Sequence, residues 1–221
     1  MELLDTAKIE SRARDHLAPS GFELFGWFCD EAGETGLLIG NVGSRIWSPF
    51  SNSEPYLNGV ADPLNTWTRD IIDPLAESIG AEARYPFGDA VWPFQQWAIA
   101  ALGVSQSPMG LLIHPEYGLW FALRAALMIP VEEIVPPSVT DHPCESCDAK
   151  PCLSSCPVGA FSPDGYDVPA CVAHIGSSSG YGCVRDGCLA RSACPVGTAH
   201  MSESPHMAFH MRAFKRAVVG E

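Results

Sequence analysis

Apolar positions along the first 130 residues alternate between a helical period and a strand period. Leu3, Ala7 and Leu17 fall at helical spacing before Pro19 and Gly21, which predicts an opening helix over residues 3–17. Residues 21–29 are dense in aromatic side chains and predict a strand, and residues 35–39 a second, buried one. The small-residue stretch from Gly40 to Arg45 reads as a tight turn, or as a loop that opens a helix and cradles an anion on its amides. Asp62-Pro63 has the form of an N-cap followed by a first-turn proline. Leu64, Trp67, Ile71, Leu75 and Ile79 then share one helix face up to Gly80, with Pro74 predicting a kink or a restart at Asp73. A short strand over 82–85 and a helix over 93–102, ended by Gly103, complete this part.

Residues 109–128 carry a sharper pattern. Leu111-Leu112-Ile113 predicts a strand, residues 114–118 a turn, and the run from Leu119 a long returning strand. Strict alternation places Leu119, Phe121, Leu123, Ala125 and Leu127 on one face and Trp120, Ala122, Arg124, Ala126 and Met128 on the other. Arg124, with an alanine two residues to either side, has open volume beside it. A guanidinium buried there needs a partner, either a carboxylate in a structural salt bridge or an anionic ligand. His114, before a proline, reads as a polar turn residue or as a ligand or proton donor.

The proline-rich residues 130–143 mark a boundary. The pattern therefore predicts an α+β domain over residues 1–135, a cysteine module over 136–204 and a C-terminal helix over 205–221. In that helix Met207, Phe214 and Val218 are available for packing. Its basic end, Arg212, Lys215 and Arg216, either complements the helix dipole or docks on acidic surface of this chain or of a redox partner.

Composition narrows the function classes. At 221 residues with 47% hydrophobic content the chain is globular. Net charge is −13, and residues 1–135 hold most of it, with 7 Lys and Arg against 18 Asp and Glu, a net of −11. Such a surface repels nucleic acid. The apolar runs are too short to span a membrane, and the start, Met1-Glu2-Leu3-Leu4-Asp5, lacks signal-peptide features. A cytoplasmic, reducing location is expected, where nine cysteines favour metal ligation over disulfides. No Gly-x-Gly-x-x-Gly follows a strand, which argues against direct nicotinamide chemistry.

Eight of the nine cysteines fall between Cys144 and Cys194. Cys144, Cys147, Cys152 and Cys156 form a block closed by Pro157; Cys183, Cys188 and Cys194 form one closed by Pro195, with Cys171 between. The run resembles that of bacterial ferredoxins, in which the Cys-Pro cysteine of one block ligates the cluster of the other. Applied here, Cys144, Cys147, Cys152 and Cys194 hold one [4Fe–4S] cluster, and Cys156, Cys171, Cys183 and Cys188 the second. Zinc competes, because Cys-x2-Cys pairs make tetrahedral sites, and disulfides are a further alternative. Only one such pair exists, however, and zinc gives no reason for two Cys-Pro closures. Cys29 is left over and reads as a buried core thiol.

The block from Gly110 through His114, Pro115, Tyr117, Gly118, Trp120 and Phe121 to Arg124 resembles the cobalamin-processing (decyanase and dealkylase) family. Gly21-Phe22-Glu23 and the passage from Leu37 to Phe50 do so too, and the wider arrangement is similar to epoxyqueuosine reductase and the reductive dehalogenases. The resemblance implies a nitroreductase-like α/β sandwich, a mixed sheet flanked by helices, followed by a ferredoxin-like two-cluster module. It also implies electron flow from a redox protein partner to the clusters and on to a bound cobalamin, rather than a flavin. Trp120, Ala122 and Ala126 would line its cavity, and His114, Trp120 and Arg124 are the cofactor-binding candidates. Two departures stand out. Phe94-Gln95-Gln96-Trp97 replaces a histidine-bearing helix, and the chain is shorter and more acidic than a tRNA-modifying reductase, which argues against queuosine chemistry. The expected function is iron–sulfur electron transfer to a corrinoid or related cofactor, in a corrinoid-linked oxidoreductase or a corrinoid-handling protein. The alternative is a stand-alone ferredoxin-type carrier whose front domain only docks, without enzymatic activity.

Overall fold

The computed structural model describes residues 5–131, 134, 137 and 141–219. In chain order the elements are α1 (Thr6–Leu17), β1 (Glu23–Cys29), β2 (Thr35–Val42), α2 (Trp47–Ser51), α3 (Glu54–Leu57) and α4 (Pro63–Ile79). β3 (Glu82–Arg84), α5 (Phe94–Leu102), β4 (Ser105–Gln106), β5 (Leu112–Ile113) and β6 (Phe121–Met128) follow. The cysteine-rich part adds α6 (Pro151–Ser154), β7 (Phe161–Ser162), β8 (Gly165–Tyr166), α7 (Val168–Gly176), α8 (Tyr181–Asp186), α9 (Leu189–Ser192) and α10 (Ser204–Val219). The described residues of Met1–Gly103 and Phe121–Val139 make one compact unit, and those of Val104–Trp120 and Thr140–Glu221 another. Residues 104–120 thus group with the cysteines.

The first unit is built on a four-stranded sheet in the order β1-β2-β6-β3. Every neighbouring pair is antiparallel, where a mixed sheet was the expectation. β2 is buried from Gly36 to Val42, so both its faces are covered. α5 packs on β1 and β2, α1 on β1, and α4 on β3 and β6. Phe28 stacks on Trp97 of α5, with ring centroids 4.9 Å apart.

The ladder slips on both sides of Ile39. Leu24 pairs with Ile39 and Gly26 with Leu38, which leaves Phe25 as an extra residue in β1. Ala125 pairs with Ile39 and Leu123 with Gly40, which leaves Arg124 extra in β6. Two bulges therefore flank one residue. A bulge re-aims side chains, and the strict alternation expected from Leu119 to Met128 does not hold: every position from Arg124 to Met128 is buried.

Other elements differ from the sequence pattern for local reasons. α1 starts at Thr6 with Asp5 as its cap, the Ala7 amide donating to the Asp5 carboxylate at 3.0 Å; Leu3 lies outside the described residues. β2 extends through Val42, so Gly40 and Asn41 belong to the ladder and are not an anion-cradling loop. A side chain on Gly40 would collide with the Phe25 ring and the Ala122 carbonyl. Asp62 precedes α4 in left-handed backbone (φ 48°) and makes no side-chain cap. α4 runs through Pro74 without a restart, the proline lying on its exposed side, and Ile72 takes the inward place expected of Ile71. β5 does not form a hairpin with the returning strand. It pairs with β4, while residues 114–118 close on themselves and the Trp120 amide turns back to the Tyr117 carbonyl, delaying β6 to Phe121. Cys29 is exposed rather than buried, because it ends β1, an edge strand, beside the Asp30–Glu34 turn. Among the described residues no helix is long and apolar enough to cross a membrane.

Candidate metal centre

The second unit wraps its apolar side chains around cysteines. Met109, Ile113, Leu119, Phe161, Ala190 and Cys194 form its buried cluster, against which Cys144, Cys152, Cys156 and Cys188 pack. Lys150, in left-handed backbone (φ 38°), turns the chain into α6, which carries Cys152. Gly159 (φ 62°) closes the turn after Cys156-Pro157, its amide donating to the Cys156 carbonyl, and the Ala160 amide donates to the Cys156 sulfur at 3.4 Å. Asp167 caps α7, accepting from the Ala170 amide at 2.9 Å, and so fixes the helix that carries Cys171. Cys183 lies on α8, and Cys188 occupies the N-cap position of α9.

All nine cysteines are free thiols. The mutual interactions of the eight sort them into two groups. The thiol of Cys144 is pushed up by burial and then by Cys194, Cys152 and Cys147. That of Cys152 is raised by burial, Cys194 and Cys147. Burial and Cys147 act in the same sense on Cys194, against an amide donor from Val196. Cys183 is raised by burial and by Cys188, Cys156 and Cys171. Cys188 is raised by burial, opposed by amides of Arg191 and Ala190, with Cys171 and Cys156 adding to the rise. The groups are Cys144, Cys147, Cys152 and Cys194, and Cys156, Cys171, Cys183 and Cys188. Cys144, Cys152, Cys183, Cys188 and Cys194 resist ionisation until a cation compensates them, at which point the thiolate becomes the ligand.

Among the described residues no three or more histidine, cysteine or carboxylate side chains converge as the ligands of a single metal ion. Four thiols that each bind a different iron of one cluster need not converge as four ligands of one ion must. The donor set, four sulfurs in each group, fits two four-iron clusters.

Polar groups that the sequence did not single out surround the second set. The Tyr166 phenol is raised by burial and by its hydrogen bond to Cys171, and its ring stacks on Phe161 at 4.6 Å. Arg191 is half-buried, its guanidinium donating through Nε and Nη2 to the Leu119 carbonyl and lying over the Trp120 ring at 4.6 Å.

The three cofactor-binding candidates are not brought together in one unit. Trp120 is 1% exposed in the cysteine-bearing unit, and His114 is in the same unit. The His114 Nδ1 accepts from the amides of Glu116 and Tyr117, at 3.1 and 3.2 Å, and its ring stacks on Tyr117 at 4.2 Å. Arg124 belongs to the sheet-bearing unit. Its Nη2 donates to the Thr68 hydroxyl at 3.0 Å, the Asn65 side-chain carbonyl at 3.2 Å and the Leu64 carbonyl at 3.4 Å, all on α4. Of the two alternatives, a carboxylate partner is not found among the described residues; Nε is buried without a partner there, and burial lowers the guanidinium pKa to about 10. The same unit holds an open recess of about 430 Å³ lined in part by Arg14, Gly21, Glu23 and Arg45. Its cations are already paired, Arg14 with Glu10 and Arg45 with Glu23.

No family model and no curated protein matches the chain. Solved structures match it in fold. The B12-trafficking protein CblC of C. elegans, a human MMACHC homologue, is similar over 93% of this chain and 91% of its own, at 15% identity and a TM-score of 0.52. Epoxyqueuosine reductase from Streptococcus thermophilus is similar over 89% of this chain and 67% of its own, at 15% identity and a TM-score of 0.51. The chain spans about half (51%) of the length of the Bacillus subtilis epoxyqueuosine reductase, at 16% identity and a TM-score of 0.49. The likeness is one of fold, and it falls on two of the three families that the sequence resembles.

Proposed function

We propose that the chain is an iron–sulfur protein that carries two [4Fe–4S] clusters and delivers electrons to a corrinoid or related cofactor bound by the sheet-bearing unit. The sorting of eight thiols into two groups of four carries this reading, since it matches the block-crossing pattern of two-cluster ferredoxins. Cys144, Cys147, Cys152 and Cys194 would hold one cluster, and Cys156, Cys171, Cys183 and Cys188 the other. When bound, each cluster supplies one-electron chemistry. The protein residues supply amide donors to the sulfurs and an apolar wall from residues 109–119 that excludes water. In the sheet-bearing unit Arg124 has a buried donor still to place, which suits an acceptor-rich ligand such as a corrinoid side-chain amide. The fold shared with a B12-trafficking protein and with epoxyqueuosine reductase supports the corrinoid part.

An anaerobic absorption spectrum followed by cobalamin and flavin titrations tests the reading. Brown, iron-loaded protein that binds cobalamin, with binding weakened by Arg124→Met, is the expected result. Iron-loaded protein that binds neither ligand would leave the carrier with a docking domain as the function.

A further inference from the structure

The C-terminal helix α10 carries two histidines that the cysteine chemistry does not use. His206 and His210 are four residues apart, so they lie one above the other on a single helix face. Their Nε2 atoms face each other at 3.0 Å, and the ring centroids stand 4.8 Å apart with the planes at 43°. His206 is 2% exposed, whereas His210 reaches solvent. As a hydrogen-bonded pair, one Nε2–H donates and the other Nε2 accepts. A neutral imidazole holds a single ring hydrogen. When that hydrogen sits on Nδ1 in both rings, two Nε2 lone pairs point at one place.

That geometry suits chelation. Two imidazole nitrogens bound to one zinc ion at about 2.0–2.1 Å, with a tetrahedral angle between them, stand roughly 3.3 Å apart. The observed separation is slightly shorter, a difference that a small ring rotation removes. Histidines at i and i+4 of one helix are also the spacing with which helical zinc sites are built. Burial holds the His206 ring in place, which lowers the ordering cost of binding, and exposed His210 gives an ion its way in. We infer that His206 and His210 form a two-histidine site for a divalent transition ion of the zinc type, separate from the two groups of cysteines. Among the described residues no third histidine, cysteine or carboxylate converges on the pair, so water completes the shell. The ion would clip the first turns of α10, which packs on α8 and α7, the helices that carry Cys183 and Cys171. The inference uses no cysteine and does not rest on the cluster reading.

The test titrates zinc into full-length, anaerobically purified protein. Equilibrium dialysis reads bound zinc, metal analysis reads iron, and zinc X-ray absorption reads the ligands. Wild type should bind about one zinc per chain with its iron unchanged, in a shell that contains imidazole at about 2.0–2.1 Å and no sulfur at about 2.3 Å. His210→Ala should weaken binding by about a hundredfold or more, because the second ligand of a chelate acts intramolecularly. His210 is exposed, so this substitution leaves the core untouched. No bound zinc, a shell of sulfur without imidazole, or an affinity unchanged in His210→Ala would overturn the inference. The cluster reading fails separately. In wild-type protein that lacks iron and sulfide, zinc at the cysteines shows as sulfur scattering, and the imidazole shell with its loss in His210→Ala still decides.

Discussion

Gly118 and Gly197 stand backbone against backbone. A methyl group on Gly118 would strike the Val196 carbonyl, and one on Gly197 would strike the Tyr117 and Gly118 backbone. The turn of residues 114–118 is thereby pressed onto the loop that follows the second Cys-Pro, Cys194-Pro195. Both glycines are left-handed, at φ 58° and 70°. Gly118→Ala should destabilise by the left-handed penalty, about 1–2 kcal/mol, and by the clash in addition. Gly159→Ala supplies the control, with a similar φ of 62° but no atom within 4 Å. Thermal unfolding should therefore rank Gly118→Ala well below Gly159→Ala, and equal melting temperatures would refute the contact.

Among the described residues Arg124 has no anionic partner, and removing it relieves a desolvation cost. Arg124→Met should be neutral or stabilising, by up to roughly 1–4 kcal/mol. Thr68→Val, which takes away the closest acceptor of the guanidinium, should instead cost about 1–3 kcal/mol. Denaturant titrations check both signs. Loss of stability in Arg124→Met would mean that the guanidinium has a counter-charge after all.

His114 gives a pH dependence. Burial lowers its pKa, with Glu116 opposing that shift and His200 adding to it. The folded state then binds fewer protons than the unfolded one between the lowered pKa and the ordinary value of about 6.5. The stability from the neutral ring is thus fully present above about pH 6.5 and is lost as pH falls through the folded-state value. The half-buried position makes the effect modest. His114→Asn keeps an acceptor for the turn amides but does not titrate. The stability difference between wild type and His114→Asn should be flat above pH 6.5 and move against wild type below it; a difference constant with pH would contradict the burial argument.

Cys29 is the exposed thiol outside the cysteine stretch. Anaerobically loaded protein should react with about one equivalent of a maleimide, and Cys29→Ser should abolish the fast phase. Several fast equivalents would mean that the other thiols are not ligated.

The structure shows which parts of this chain sequence can report. α4 was legible because Leu64, Trp67, Leu75 and Ile79 repeat on one face, whatever the helix packs against. The cysteine blocks stand out in the sequence because thiols pressed together need compensation, and the block pattern suggests which would pair. The faces of β6 were not, since one extra residue at Arg124 shifts a period of two and no local signal marks where a partner strand will slip. Nor was the place of residues 104–120 legible. Their apolar positions say that they are buried but not under what, and long-range pairings such as Leu119 with Arg191 and Gly118 with Gly197 assign them to the cysteines. Arg191 itself looks like any helix cation until that carbonyl is in view.

The crossing of the two blocks is tested most directly by iron and sulfide content in paired substitutions. Wild type should carry about eight iron and eight sulfide per chain. Cys147→Ser with Cys194→Ser, from different blocks but one group, should keep about half of both. Cys147→Ser with Cys156→Ser, from one block but different groups, should lose nearly all. The reverse order, or protein that holds zinc without sulfide, would contradict the assignment.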